Sequence, residues 1–149
     1  MPIFEHSFKV NASLARVAAF HRDTRALKRL TPPPILVQFH RVEPLAEGAV
    51  ADFTLWFGLL PVRWRAVHSH VDERQGFVDT QARGPLRQWR HRHAFKALDE
   101  HTTLIVDRIE YEHYAGPRGW LSRVLFAPPA LRFLFAFRAI VTRRALAGA

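Results

Sequence analysis

Gly84-Pro85-Leu86-Arg87-Gln88-Trp89-Arg90-His91-Arg92-His93-Ala94-Phe95 opens on a turn and runs on as a strand with two unlike faces. Side chains alternate across a strand, so Arg90 and Arg92 point one way while Trp89, His91, His93 and Phe95 point the other. Guanidinium groups without obvious partners belong in water. The Trp-His-His-Phe face therefore looks inward, and two imidazoles on an inner face predict the wall of a ligand cavity rather than a plain core.

The chain around this stretch has a definite order of elements. Phe4, His6, Phe8 and Val10 alternate with Glu5, Ser7 and Lys9 in a first strand. Asn11-Ala12-Ser13 supplies a helix N-cap, and Leu14, Val17, Ala18 and Phe20 carry the helix to about His21. A second short helix starts at Asp23 and stops at Thr31-Pro32-Pro33-Pro34, because proline lacks a donor and disfavours helix in the residue before it. Six strands are expected next, over 35–43, 49–58, 62–71, 76–83, 86–97 and 102–113, separated by short turns that make neighbours antiparallel. After Gly116-Pro117 the period turns helical through Trp120, Leu121, Val124 and Leu125, then Leu131, Leu134, Phe135, Arg138 and Val141, with a kink or a fresh start at Pro128-Pro129.

A seven-stranded antiparallel sheet has one face to bury, and a long apolar C-terminal helix is its natural cover. If the sheet curls around that helix, a cavity remains between them. The length of 149 residues suits a single domain over 1–149, able to bury roughly 68% of the surface its unfolded form exposes. Arg123, Pro128, Pro129, Arg132 and Arg138 interrupt the most apolar region, so no membrane span is expected. The N-terminus lacks a signal-peptide pattern and cysteine is absent, which points to a cytoplasmic protein without disulfides or thiolate chemistry.

Twenty-two basic against 13 acidic residues give a net charge of +9, which raises the question of nucleic acid. The distribution argues against that partner. Arginines spread from Arg16 to Arg144 with no run longer than Arg143-Arg144, and neither zinc-finger spacing nor a Gly-rich clamp accompanies them. Attraction to an anionic ligand or anionic lipid fits the charge equally well.

The phrase Phe77-Val78-Asp79-Thr80-Gln81-Ala82-Arg83-Gly84-Pro85-Leu86, continuing to Trp89-Arg90-His91-Arg92-His93-Ala94-Phe95 and followed by Asp107-Arg108-Ile109-Glu110-Tyr111, resembles the SRPBCC superfamily. This is the helix-grip group of START lipid-transfer domains, plant pathogenesis-related allergens and polyketide cyclase/dehydrase proteins. The pattern is most similar to small bacterial members and to domains attached to sugar-nucleotide epimerase homologues. Leu30-Thr31-Pro32-Pro33 and Leu134-Phe135-Ala136-Phe137-Arg138 fit as well, so the resemblance covers essentially the whole chain. It implies an α+β helix-grip fold, but the superfamily hosts carriers, sensors and enzymes on one scaffold.

Pairing sharpens the inner face. A three-residue loop Leu98-Asp99-Glu100 would set His91 opposite Asp107 and Trp89 opposite Ile109, and a three-residue turn at Arg83-Gly84-Pro85 would set Asp79 opposite Trp89, diagonal to His91. The other face then carries Arg90, Arg92, Arg108, Glu110 and Glu112 as a charged ladder in solvent, whereas a one-residue slip would bury it. The inner face gathers Asp79, Gln81, His91, His93, Asp107 and Tyr111. Three readings remain open for this set: a self-satisfied structural network, the polar part of a pocket for a mostly apolar ligand, or an Asp-oriented histidine for proton transfer in a cyclisation or dehydration.

The expected ligand-binding residues are Trp64, His68, Asp79, Gln81, Trp89, His91, His93, Asp107 and Tyr111, with His91, His93, Asp107 and Asp79 as catalytic candidates. No nucleophilic Ser or Cys stands beside them, which disfavours hydrolysis through a triad. His68-x-His70 and His91-x-His93 each place two imidazoles on one strand face, but a strand lies between the pairs and separates them by roughly 9.5 Å. No metal or cofactor is therefore expected. The expected partner is a small hydrophobic or amphipathic molecule. Trp56, Phe57, Leu59, Leu60 and Trp64 form a core rim or a cavity entrance, and the surplus apolar surface of the last helix leaves peripheral membrane contact or a homodimer open.

Overall fold

The alternation of the first residues becomes strand β1 (Ile3–Val10) in the computed structural model, which describes residues 1–147. Helices α1 (Leu14–Arg22) and α2 (Ala26–Arg29) follow, and Ser13 caps α1 by accepting from the Arg16 amide at 3.3 Å. Six strands come next: β2 (Leu36–Val42), β3 (Val50–Phe57), β4 (Leu60–Asp72), β5 (Gly76–Arg83), β6 (Gln88–Ala97) and β7 (Thr103–Glu112). A 3-10 turn at Gly116–Gly119 leads into α3 (Trp120–Leu125) and α4 (Pro128–Leu146). The break falls where the two prolines start a new helix, since proline suits the first helical turn but no later one.

The strands form one antiparallel sheet in the order β1-β7-β6-β5-β4-β3-β2, so that the first two strands form its opposite edges and β1 pairs with the last strand, β7. α4 lies over it and buries Leu131, Phe135, Ala139, Thr142 and Leu146. The architecture agrees with the expected seven strands, paired short helices and long terminal helix.

Two registers differ from expectation. β6 and β7 set His93 against Asp107 and His91 against Ile109, while β5 and β6 set Asp79 against His91. Each pairing is displaced by two residues, which preserves the faces because the side-chain period is also two. The cause lies in the turns. Asp99 accepts from the His101 amide at 2.7 Å, and the Leu98 amide bonds the Thr102 carbonyl, which widens the loop to Leu98–Thr102. At the other end the Gln81 amide brackets Leu86, donating to its carbonyl at 2.7 Å and accepting from its amide at 3.2 Å. Gly84 permits this close approach, since a Cβ there would meet Gln81 Oε1 at 2.3 Å.

The charged outer ladder forms as expected, with Arg108 bridging Glu5 at 3.2 Å and Glu110 at 3.6 Å. His68 and His70, by contrast, do not share a face. A register shift between Ser69 and Asp72, with His70 at φ 50°, turns His70 to solvent and leaves His68 buried.

The C-terminal helical stretch Gly116–Leu146 contains an 18-residue window of mean hydropathy 1.7, long and apolar enough to cross a membrane by length and composition. The interrupting arginines and prolines thus do not lower its hydropathy as far as expected. In the fold the stretch is divided at Phe126-Ala127 and α4 packs its apolar stripe on the sheet, while Trp120, Val124, Phe133 and Ile140 stay exposed.

Candidate functional site

Two apolar clusters fill the space under α4. One contains Phe53, Trp64, Leu86, Trp89, Ile109 and Phe135; the other contains Phe8, Val17, Phe77, Phe95, Ile105 and Leu146. Along β6 the inner residues run Trp89, His91, His93, Phe95, and along β7 they run Ile109, Asp107, Ile105. The polar residues therefore form a band between the two clusters.

Within that band the side chains make a closed box. His91 Nε2–H donates to Asp107 Oδ1 at 2.8 Å, and His93 Nε2–H donates to Asp79 Oδ2 at 2.6 Å. The remaining nitrogens face the opposite carboxylates, with His91 Nδ1 3.7 Å from Asp79 and His93 Nδ1 3.5 Å from Asp107. The two imidazoles stack with centroids 3.7 Å apart, and Phe135 of α4 meets His91 edge-on at 5.5 Å.

Electrostatics follow from this geometry. Burial opposes ionisation of Asp79, but the hydrogen bond from His93 and the nearby imidazoles outweigh it and hold the carboxyl at about 2. Asp107 is also held low, by His91 against the same burial penalty. Burial and the adjacent His91 push His93 down to about 4, the Asp79 contact offsetting only part of this, so His93 is neutral near pH 7. Two carboxylates thus stay ionised in the interior because imidazole N–H groups solvate them.

Beside the box lies a cavity of about 320 Å³. Phe53, Trp64, Ala66, Trp89 and Phe77 form its sheet wall, together with His68, Asp79, His91 and His93. Leu131, Phe133, Leu134 and Arg138 of α4 form the roof, and the Leu30–Ile35 segment with its three prolines closes a third side with His21 and Leu27. Phe133 is 64% exposed, so the cavity meets the surface there. A second depression of about 420 Å³ lies between α1 and the β4–β5 turn, bordered by Arg22, Glu47, Asp72 and Glu73 and without an imidazole.

Of the residues expected from the sequence, Trp64, His68, Asp79, Trp89, His91 and His93 line the cavity. Three expected residues do not. Asp107 sits behind the imidazoles, Gln81 is consumed in clamping Leu86, and Tyr111 is buried against Trp89 and His113. Sequence reasoning misses His21 and Arg138. His21 sits in the last turn of α1, where its Nδ1–H donates to the Val17 carbonyl at 2.9 Å and burial lowers its pKa. Arg138 had a visible signal, being in phase with Leu131, Leu134 and Phe135.

The spacing of potential metal ligands also differs from expectation. Asp79, His91 and His93 each offer a ligand atom, all within 4.8 Å of one another. This grouping is far tighter than the two His-x-His pairs, although its atoms are engaged in the hydrogen bonds described above.

No family model and no curated protein matches the chain. Solved structures do. The aromatase/cyclase Zhui from Streptomyces sp. R1128 superposes with a TM-score of 0.72 at 15% identity, covering 98% of this chain and 96% of that one. A START superfamily protein from Mycobacterium smegmatis gives 0.70 at 12% identity, with 97% and 96% covered. The chain has the helix-grip fold. Norcoclaurine synthase from Thalictrum flavum, solved with dopamine and hydroxybenzaldehyde, gives 0.67 at 15% identity over 97% of this chain and 85% of its own. In helix-grip terms, α4 is the gripped helix, and the box and cavity lie between it and the curved sheet.

Proposed function

We propose that this helix-grip protein binds, and thereby carries, a small hydrophobic or amphipathic molecule between the sheet and α4. The observation that supports this reading is the cavity of about 320 Å³, apolar over most of its wall with a few convergent polar groups. That size sits at the lower end of the range of about 300 to 1,000 Å³ for small-molecule sites. A neutral solvatochromic dye such as Nile red, titrated into wild type and into Ala130→Trp, tests it. Ala130 lines the roof, so filling the space there is expected to abolish binding while leaving the far-UV spectrum unchanged. Equal binding by both proteins would place the dye elsewhere and refute the reading.

A second reading, a cyclase or dehydratase using an acid-base histidine, draws support from the carboxylate-oriented imidazoles at the cavity wall. The solved neighbours include an aromatase/cyclase and norcoclaurine synthase. The box itself weakens this reading, because Nε2 of both His91 and His93 is already bonded to a carboxylate, leaving only the two Nδ1 atoms, 3.7 and 3.5 Å from the opposite carboxylates, to meet a ligand proton. His91→Ala separates the two: a carrier keeps ligand binding with altered affinity, whereas an enzyme loses turnover.

A further inference from the structure

Arg138 is the one arginine of the cavity roof, on the sheet-facing side of α4 one turn beyond Leu134 and Phe135. A guanidinium in that position gives up part of its hydration, and burial lowers its pKa while Asp107 and Asp79 pull it back only from a distance. Its Nε–H donates to the Leu30 carbonyl at 3.2 Å, and the group lies 5.1 Å from the Phe135 ring centroid. These two contacts hold the fork in place. Among the described residues its terminal Nη groups have neither a hydrogen bond nor a salt bridge, in contrast to Arg63, which grips Asp52 through two nitrogens. The carboxylates of the box cannot serve Arg138 in the same way, since both are already bonded to imidazoles.

We propose that Arg138 receives the polar end of the ligand and that this end is an anionic oxygen group, a carboxylate on an otherwise apolar molecule. The two terminal Nη groups, free of other partners, match a carboxylate end-on in bidentate fashion, and charge-assisted bonds of this kind are stronger inside a low-dielectric cavity than in water. The apolar body would run along Phe53, Trp64 and Leu134. A cationic head group is disfavoured beside Arg138, because the guanidinium repels a second cation and Asp79 is occupied by His93, while Asp23, the other carboxylate of the lining, accepts from the Arg25 amide at 2.9 Å. This inference rests on the cavity being the binding site and names the chemistry of what enters it.

Isothermal titration of the purified full chain at pH 8 with decanoate, decanol and decylammonium tests the assignment. Decanoate is expected to bind about tenfold or more tighter than decanol, with decylammonium weakest. Arg138→Met should erase that preference, weakening decanoate by about tenfold and leaving decanol within about twofold, while Arg138→Lys should retain part of it. Equal affinity for decanoate and decanol in wild type overturns the proposal but leaves the apolar cavity reading intact. Equal weakening of both ligands by Arg138→Met also overturns it, since the arginine would then act only on the shape of the cavity. If Arg138→Met does not fold, the wild-type ranking and the Lys variant decide. Failure of all three ligands to bind overturns the cavity reading and this inference together.

Discussion

Opposite faces of the same sheet each hold buried carboxylates, and they neutralise the charge by different means. On the outer face Asp52 of β3 lies between Arg63 and Arg65 of β4, at 2.9 and 3.0 Å, with both arginine side chains about half exposed at 50% and 45%. On the inner face Asp79 and Asp107 lean on imidazoles whose side chains are 4% and 14% exposed. Both arrangements keep carboxyls ionised, Asp52 through Arg63 against burial and Asp79 through His93 against burial, each held at about 2. A guanidinium can stabilise a carboxylate while its far side remains in water, so a fixed cation suits the outer face. An imidazole can donate while neutral, so the inner face needs no fixed cation. The difference teaches that buried acids in this fold are solvated by whichever partner costs least to desolvate at that depth.

The comparison can be broken by removing one acid at a time. Asp107→Ala should be the most severe, at about 3 kcal/mol in urea unfolding, because it strands the buried His91 imidazole and leaves a void beside it. A loss below about 1 kcal/mol would show that the box contributes little to the fold. The pH dependence comes next. His93 titrates at about 4 in the folded chain against 6.5 as an ordinary side chain, so the unfolded chain takes up the proton first as pH falls. Stability is full above about pH 6.5 and declines toward pH 4, by roughly 2 kcal/mol between pH 7 and 4.5. His93→Phe should flatten that slope in denaturant titrations, and an unchanged slope would remove His93 as its source. The low carboxyls of Asp79 and Asp107 act only below this window, as the pH drops under the ordinary carboxyl value.

On the outer face the effects are smaller. Asp52→Ala is expected to cost about 1 kcal/mol, since Arg63 and Arg65 can turn to water, and added salt should narrow the gap to wild type. A loss as large as that of Asp107→Ala would erase the contrast between the faces. Arg108→Ala, on the exposed ladder with Glu5 and Glu110, should shift stability by less than about 0.5 kcal/mol in thermal unfolding.

Legibility from sequence followed physical periodicity. Alternation across Trp89 to Phe95 told inner from outer face, and it did so correctly despite both register errors, because a two-residue displacement leaves every side chain on its own face. The same alternation failed at His70, where the strand bulges and the count of two restarts. Pairing of Asp with His was readable as a class of contact but not in detail. His91 reaches Asp107 on the diagonal and His93 takes Asp79, an exchange decided by loops whose lengths depend on the Asp99 and Gln81 side chains bonding the backbone.

Sequence alone determined the order of elements, the two faces of the sheet, and the presence of acids and imidazoles together on the inner one. These are local properties, fixed by the geometry of a strand or helix turn and by where proline and glycine interrupt it. Only the tertiary structure decided which residues meet at the cavity. His21 and Arg138 arrive from α1 and α4, 117 residues apart in the chain, and Asp107, Gln81 and Tyr111 fall behind or beside the wall. The reason is that placement across a cavity depends on how helices seat against a curved sheet, and no short-range period carries that information.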